Sequence, residues 1–543
     1  MKKFILVIIL SVFFLAPMKA QVTYEPINSE VYTFLDRLAS QHVISLNDEV
    51  KPYSRLKIGE LLSDAKLKLN QLNEIQKEEL SFYEEEYAHE IKEIPAFKGM
   101  TIPERWFLYK YSDSLFNFRL SPFAGYGISA TGDQSGHTRW WGISTYGTVS
   151  DWFGASFSYK DIGQYGGNVD DKKSFTPERG YFINARTKDG IEFSDVTGGV
   201  NFNWKWGSVS LIKDNIQWGH GKFGQLIFSD KVESYPQIRL YLNPAKWIRF
   251  YYMHGWLNSL VIDSSSTYYS HFESSKPVVH KQYINKFVAA NLLSITPIEN
   301  LDISIGNSAI YSGNLRPEMF IPFLYYKVMD HNTGRGDVDD ANGQIFFDVS
   351  SRNLEGFQFY STLFIDGFSL TKTLNSNYSD NELGYTFGVK KVNLLFDNLD
   401  VTFEYTRLNP FVYEHKYQTE DYKHINFYLG DWLGQNADQI KLQLEYKPTR
   451  AINILCSIEK LRKAGLADIS AEYTSGVQPP SFMWGTLRKD YALTLACTWT
   501  PYHDTYANVY YKYSSITDQQ KGRTPVYMLG DKNSFGVTLS YGL

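Results

Sequence analysis

Strict alternation of polar and apolar side chains in residues 439–460 constrains the fold of this chain more than any other feature. Positions 440, 442, 444 and 446 are apolar, whereas positions 439, 441, 443, 445 and 447 are polar. A period of two places successive side chains on opposite faces of a β-strand. Pro448 interrupts the pattern because proline has no N–H for strand pairing, and the alternation resumes at Ile452. The segment is therefore predicted to be a β-hairpin with one apolar and one polar face.

Breaks between such segments alternate between short and long along residues 114–543. Eight short breaks lie near residues 151, 206, 243, 299, 366, 398, 448 and 501. Nine longer, more polar connections are centred near residues 132, 180, 221, 265, 334, 377, 421, 476 and 519. Seventeen connections join eighteen strands. An even strand number, with short turns at one end and long loops at the other, is typical of bacterial outer-membrane barrels.

The last ten residues alternate in the same way, as the closing strand of such a barrel does. We therefore predict an all-β transmembrane barrel of about 18 antiparallel strands over residues 114–543, in the outer membrane of a Gram-negative bacterium. Polar faces such as that of Lys441 are expected to line the lumen, and apolar faces such as that of Leu442 to meet lipid. A large secreted β-protein is the alternative, but it would not need the asymmetry of the loops.

The N-terminal fifth of the chain differs in kind. Residues 1–20 have the basic start and apolar core of a secretory signal peptide, with Ala20 as the last residue removed. Residues 22–95 show apolar residues at helical spacing, after candidate caps at Ser29 and Ser54. We predict three short helices in a small domain over residues 21–113. It precedes the first strand and should therefore restrict the lumen at the periplasmic, short-turn end.

Composition excludes several classes of protein. Beyond Ala20 the chain has no run of eighteen apolar residues, which excludes a helical membrane protein. Without the three lysines of the predicted signal, 51 basic residues face 59 acidic ones, a net charge of −8 that argues against nucleic-acid binding. Cys456 and Cys497 fall on apolar faces of neighbouring predicted strands. We expect them to pack as small apolar residues, with a strained cross-strand disulfide as the alternative.

Motifs for catalysis and metal binding are weak. Neither a G-x-S-x-G nor an H-E-x-x-H motif occurs, so an enzyme is not expected. The acidic residues 330–342 offer alternating oxygen ligands for Ca²⁺, but their spacing does not match an EF-hand, so a solvated loop without metal or cofactor is predicted. The glycine-rich residues 219–224 lack a P-loop ending, which favours tight packing. Within them, His220 either lines the lumen or acts as a hydrogen-bonded spacer.

Aromatic residues in the long connections are the best binding candidates. A ring offers an apolar face to the C–H groups of a sugar, while a neighbouring carboxylate accepts hydrogen bonds from its hydroxyls. The alternative is that the rings pack the loops on one another or form the aromatic girdle of the barrel. If Tyr428 and Trp432 form a glycan platform with their acidic neighbours, we expect them to face outward together. The candidate glycan-binding residues are Tyr413, Tyr417, Tyr428, Asp431, Trp432 and Trp484.

Three segments carry a resemblance to a known family. Residues 51–55 (KPYSR), followed by Ile58 and Leu61-Leu62, resemble the helical start of the Wzi family of capsule-assembly proteins. Residues 218–226 (WGHGKFGQL), followed by residues 235–238 (YPQI), resemble its mid-barrel segment, and residues 356–367 (GFQFYSTLFIDG) a later strand. The resemblance implies an outer-membrane, lectin-like protein that holds surface polysaccharide, with helices capping the periplasmic mouth of the barrel.

These observations together predict an outer-membrane protein that binds surface polysaccharide during capsule or exopolysaccharide assembly or retention. The alternative function is a porin or gated channel for small solutes. We expect a monomer surrounded by outer-membrane lipid, with no nucleic acid and no cofactor.

Overall fold

The structure, a computed structural model, describes residues 23–91, 97–102, 105–150, 152–270, 278–327, 341–367, 381–466, 469–471 and 480–542. The predicted signal peptide lies outside the described residues, as does nearly all of the acidic loop at 330–342. In the part of the chain that is described, no group of three or more His, Cys, Asp or Glu residues is placed to hold a metal ion.

Eighteen antiparallel strands form a closed barrel. Each strand pairs with its neighbours in chain order, and the last strand pairs with the first through Ser534 opposite Thr131 and Tyr541 opposite Ala124. The predicted fold is therefore confirmed. The strands are β1 (Phe116–Thr131), β2 (Gln134–Val149), β3 (Phe153–Gly166), β4 (Gly190–Trp204), β5 (Gly207–Asp214), β6 (Tyr235–Ala245), β7 (Ile248–Ser270), β8 (Val278–Ile298), β9 (Leu301–Ser312), β10 (Asn342–Ser351), β11 (Phe357–Gly367), β12 (Glu382–Lys391), β13 (Leu399–Leu408), β14 (Ala437–Thr449), β15 (Ile452–Lys463), β16 (Arg488–Trp499), β17 (Thr505–Asp518) and β18 (Gly530–Tyr541).

Short and long connections alternate around the barrel, with three local corrections to the sequence-based expectation. The short break expected at residue 366 is wrong, because Asp366 lies in β11 and the turn falls at residues 352–356. The side chain of Asp366 does not belong to a turn but accepts a hydrogen bond from the backbone N–H of Tyr413 (2.7 Å). The connection at residue 132 is a two-residue turn, and Ser265 lies within the long strand β7.

Alternation along the strands separates an outer from a luminal face. Ile440 and Leu442 in β14 are exposed on the outside, whereas Lys441 between them forms an ion pair with Glu459 of β15 (3.7 Å). An outward apolar band of this kind is the surface by which an outer-membrane β-barrel meets lipid. Among the described residues, no helix is both long and apolar enough to span a membrane.

The two cysteines lie on neighbouring strands and are free. Cys456 in β15 is directly opposite Leu495, and Cys497 in β16 is opposite Ile454. Their diagonal placement agrees with packing as small side chains.

Within the described residues ahead of the barrel lie three helices: α1 (Val31–Ser40), α2 (Arg55–Lys66) and α3 (Glu74–Glu86). Helix α2 begins as predicted at Ser54, whose side chain accepts a hydrogen bond from the backbone of Lys57 (3.2 Å). Helix α3 begins at Asn73 with a reciprocal capping box to Gln76. The apolar faces of the helices pack on one another in a small core. A short hairpin, Phe97–Ile102 with Arg105–Ser112, then leads into the start of β1.

The described part of the connection after β9 lies on the outer wall of the barrel. Residues 313–327, which we call the outer strap, include a short 3-10 helix at Pro317–Phe320. Met319 and Tyr326 of the strap are buried against Tyr252 of β7 and Ala289 of β8. These two wall residues face outward, because the residues next to them in sequence belong to the core inside the barrel.

Polar side chains on the outer wall fasten the outer strap. Asn291 of β8 donates hydrogen bonds to the carbonyl oxygens of Pro322 (2.9 Å) and Leu324 (2.8 Å). Asn307 of β9 accepts one from the backbone N–H of Tyr326 (2.7 Å). Irregular backbone in the depth of a membrane needs such partners because lipid supplies none.

Candidate functional site

A buried network of charges joins the helical domain to the luminal wall at the short-turn end of the barrel. Asp36 of α1 accepts hydrogen bonds from Arg352 (2.7 Å) and Lys390 (2.8 Å), and Lys222 lies 3.4 Å away. Arg352 also donates to Asp48 (2.7 Å). Burial alone would raise the pKa of Asp36, but Lys222, Lys390 and Arg352 hold it well below its usual range. The carboxylate is therefore charged, and the pairs bind the domain in one position.

A second set of pairs fixes the other side of α1. Arg37 lies 2.9 Å from Asp400 at the start of β13 and donates to Asn398 in the preceding turn (2.7 Å). Glu79 of α3 pairs with Lys447 near the end of β14. These contacts place the helices inside the short-turn mouth of the barrel, and its periplasmic orientation stays a prediction.

His220 connects the helical domain, a long loop and the barrel wall. Its Nε2 lies 3.0 Å from Asp48 of the helical domain, and its Nδ1 contacts Asp348 of β10. Burial would lower the pKa of His220, but the carboxylates of Asp348 and Asp48 raise it to about 10. The imidazole is therefore charged at neutral pH and donates from both nitrogens. Of the two roles that the sequence left open, the structure supports the hydrogen-bonded spacer, because the side chain of His220 is buried.

The loop that carries His220 also pairs with the helical domain through its backbone. Val50 is opposite Trp218, and Lys51 is opposite Gln217, in a two-residue antiparallel ladder. The glycine at position 224 is needed there, since a Cβ would lie 2.1 Å from an oxygen of Asp431. The predicted tight packing of residues 219–224 is confirmed.

Two long loops, residues 215–234 and 409–436, fold back into the lumen and form one apolar core. Tyr413 donates to the carbonyl oxygen of Leu226 (2.6 Å), and Tyr422 donates to that of Ile227 (2.8 Å). Each buried tyrosine therefore keeps a hydrogen-bond partner while its ring is removed from water. From the long-loop end of the barrel, these loops fill the lumen along strands β6 to β14.

This core contains several of the predicted glycan-binding residues. Tyr413, Asp431 and Trp432 are buried, and Trp432 Nε1 lies 3.4 Å from the carbonyl oxygen of Phe223. Burial raises the pKa of Asp431 to about 7. Tyr428 is partly buried and donates to Glu414 (2.7 Å). The expectation that Tyr428 and Trp432 face outward together is wrong, because burying the large ring of Trp432 in the loop core is more favourable than exposing it.

The other two predicted residues are exposed. Tyr417 retains 44% of its surface and Trp484 retains 52%. The loop of Trp484 rests on the loop of Tyr417, since Asn436 donates to the carbonyl oxygens of Gly465 (2.9 Å) and Trp484 (3.2 Å). Both rings therefore belong to one assembly of loops at the long-loop end, and contact with glycan by either ring stays a prediction.

Reasoning from the sequence missed the charge network altogether. Its members are distant in sequence and carry no motif: Asp36, Asp48, His220, Asp348, Arg352 and Lys390. The only available signal was a histidine between glycines in a polar loop.

Comparison with known proteins identifies the family. A family model for capsule assembly protein Wzi matches residues 187–525. The fold is similar to that of Wzi from Escherichia coli, an outer-membrane protein involved in group 1 capsule assembly and a carbohydrate-binding β-barrel. That match has 13% sequence identity and a TM-score of 0.57, and covers 96% of this chain and 100% of the other.

Two weaker structural matches are proteins of other bacteria. OprD of Pseudomonas aeruginosa is 10% identical, with a TM-score of 0.39 over 78% of this chain and 94% of the other. OccAB2 of Acinetobacter baumannii is 8% identical, with a TM-score of 0.42 over 78% of this chain and 97% of the other. No curated protein matches the sequence. Since the family model spans more than half of the residues, the chain belongs to the Wzi family of capsule assembly proteins.

Proposed function

We propose that this protein binds a surface polysaccharide at its outer face and acts in the assembly or retention of a capsule or exopolysaccharide. The observation that carries the proposal is the inward folding of residues 215–234 and 409–436, which closes the lumen along β6 to β14 and leaves exposed rings on that closed surface. A closed surface with rings suits binding, whereas a porin needs an open lumen. Membership of the Wzi family supports the same assignment.

The role is one of binding without catalysis, and it needs no cofactor. A monomer within outer-membrane lipid suffices, because the loops, the helical domain and the barrel of a single chain already form the closed surface. Nucleic acid is not a partner, in keeping with the acidic balance of the chain.

The test replaces the two exposed rings together, as Tyr417→Ala/Trp484→Ala. A stacked ring contributes about 0.5–1.5 kcal/mol beyond burial, taking aromatic pairs as a guide. The double variant should therefore bind the polysaccharide of its own host roughly tenfold more weakly, since about 1.4 kcal/mol corresponds to tenfold. Binding is measured with the purified protein, and retention of polysaccharide is measured on whole cells.

A matched control exists at the opposite end of the barrel. Trp247 and Tyr502 lie in short turns and are exposed to a similar degree, 58% and 51%. The Trp247→Ala/Tyr502→Ala variant removes the same two ring types and should leave polysaccharide binding unchanged. Heat-modifiable migration on gels checks that both barrels are folded. Equal binding by both variants and the wild type would remove the outer rings from the site.

A conductance measurement separates binding from solute transport. With its lumen occupied by loops and helices, the wild-type barrel should give no steady current in a planar bilayer. A porin-like current would instead support the channel function.

A further inference from the structure

A cavity of about 550 Å³ lies inside the barrel, between its first strands and the helical domain. One side is formed by residues 24–30 and by Phe82 and Tyr83 of α3, and the other by the luminal faces of β1 to β5. It extends to the short turn at residues 500–504, and so to the periplasmic end. Its volume falls in the range of small-molecule sites, about 300–1,000 Å³.

Small hydroxyl side chains form the wall of the cavity. Ser121, Ser144, Ser156, Ser158 and Thr197, from four neighbouring strands, all line it. Because these side chains are short, the wall leaves space that larger residues would fill. Each hydroxyl can donate one hydrogen bond and accept others, which matches the hydroxyl groups of a sugar.

Aromatic rings lie among these hydroxyls. Phe123 and Trp140 project from β1 and β2, and Tyr83 and Tyr506 lie toward the periplasmic end. Ring faces beside hydroxyl groups complement a pyranose, which has apolar C–H faces and a polar edge.

The charges around the cavity select against an acidic ligand. Four Lys or Arg side chains line it, together with a larger number of carboxylates, namely Glu25, Glu30, Glu86, Asp195, Asp214 and Asp504. Much of the positive charge is already paired, as Arg55 with Glu25 (2.8 Å) and Arg119 with Asp504 (3.0 Å). An added carboxylate would meet like charge in a partly desolvated space, which is unfavourable.

We propose that this cavity is a second carbohydrate site, which takes one or two uncharged sugar units from the periplasmic side. The proposal rests on the carbohydrate-binding function proposed above and adds to it an internal site, distinct from the exposed rings of the outer face. It assigns Ser156 and Ser158 to the wall that receives the sugar.

The first test fills the cavity in the full-length protein with Ser156→Phe/Ser158→Phe. Ala155 precedes Ser156 in β3 and faces the opposite side of the wall, so Ala155→Phe is the matched control. Binding of maltose, cellobiose and lactose is measured by calorimetry, with a uronic-acid-containing hyaluronan disaccharide as the acidic comparison. We expect the wild type to bind at least one neutral sugar more tightly than the acidic one. Filling should weaken that binding at least tenfold, and the control variant should not.

A second measurement avoids large substitutions. In a Cys456→Ala/Cys497→Ala background, Ser158→Cys should react with a small thiol reagent, and the bound neutral disaccharide should slow the reaction. The same sugar should leave labelling of Ala155→Cys unchanged. A wild type that binds none of the neutral sugars overturns the proposal, as does equal weakening by filling and control variants or labelling unaffected by sugar.

The proposed glycan site at the exposed outer rings can be refuted independently of the proposed cavity site. The Tyr417→Ala/Trp484→Ala variant should keep its affinity for the neutral disaccharide, because neither ring lines the cavity. Lost polysaccharide binding with intact disaccharide binding therefore concerns the outer face alone. Intact polysaccharide binding with lost disaccharide binding would concern the internal cavity alone.

Discussion

The two sides of the barrel lumen are built by opposite means. Along β6 to β14, long loops fold inward and bury rings such as Trp218, Tyr413 and Tyr422 in a continuous apolar core. Along β1 to β5, the wall carries small hydroxyl residues such as Ser144 and Ser158, and a cavity is left between it and the helical domain. One side of the lumen is packed like a protein interior, and the other has a mainly polar wall beside a smaller apolar cluster around Ile162 and Phe193.

The outer wall repeats this difference. Strands β7 to β9 are covered on the outside by the outer strap and on the inside by the loops. In a barrel of this size, one sector can be stabilised by apolar burial, while the opposite sector keeps space and hydrogen-bonding groups for a ligand.

Removing the helical domain should have the largest effect. Deleting residues 23–91 while keeping the signal peptide removes one side of the cavity but leaves the loops in place. Conductance in a planar bilayer should rise many-fold, and the current should pass along β1 to β5. Adding Ser156→Phe/Ser158→Phe to the deletion should reduce it. If the deletion variant inserts into the bilayer but conducts no more current than the wild type, the helices do not restrict the lumen.

Two tryptophans measure the difference in packing directly. Trp218→Ala on the packed side should reduce the free energy of unfolding by about 3–5 kcal/mol, the usual cost of deleting a buried ring. Trp140→Ala on the cavity side should cost less, because part of its ring lines the cavity while the rest packs against Ile162. Urea unfolding in lipid vesicles gives both values. Equal losses would contradict the division of the lumen.

The outer strap extends the comparison to the membrane side. Asn291→Leu leaves the carbonyl oxygens of Pro322 and Leu324 without their donor, a loss of about 1–3 kcal/mol. The strap should then detach more often, and trypsin should cleave faster after Arg316. Asn285→Leu, on the same face of β8, is the control, because Asn285 meets the first residue of the strap through its backbone carbonyl, which accepts from Gly313 (2.9 Å). Unchanged cleavage in Asn291→Leu would show that apolar packing alone holds the strap.

A further difference is the pH dependence that His220 contributes to the packed side. Its pKa is raised from 6.5 to about 10 in the folded protein, so its contribution to stability is fully present below pH 6.5 and is lost as the pH rises to about 10. Burial and then Lys222 lower the pKa of the neighbouring Lys51 to about 8, which acts in the opposite sense. The measured quantity is therefore the difference in unfolding free energy between wild type and His220→Gln.

That difference should shrink steadily between pH 6.5 and 10. A constant difference across this range would mean that His220 stabilises the fold through its shape and not through its charge.

The barrel itself could be predicted from the sequence, because the alternation of polar and apolar residues identifies the two faces of each strand. The positions around Leu442 and the alternation of short and long connections depend on local side-chain order and required no knowledge of the folded chain. The helix start at Ser54 could be predicted for the same reason, since a cap and the helix it begins are neighbours in sequence.

The candidate site could be predicted only in part. Tyr417 and Trp484 are exposed, but Tyr413, Asp431 and Trp432 are buried, and no local pattern distinguishes an outward from an inward aromatic residue in a long loop. The direction of each ring depends on whether a partner loop meets it inside the lumen, as residues 215–234 meet Tyr413.

The sequence by itself determined the strand faces, the eighteen-stranded closure, the helical domain and the family, because these follow from period, order and short motifs. Only the tertiary structure decided which loops enter the lumen, how Asp48, His220 and Asp348 meet, why Asn291 faces outward and where a cavity is left. These features arise from contacts between residues far apart in the chain, where burial and pairing of charges outweigh any local preference.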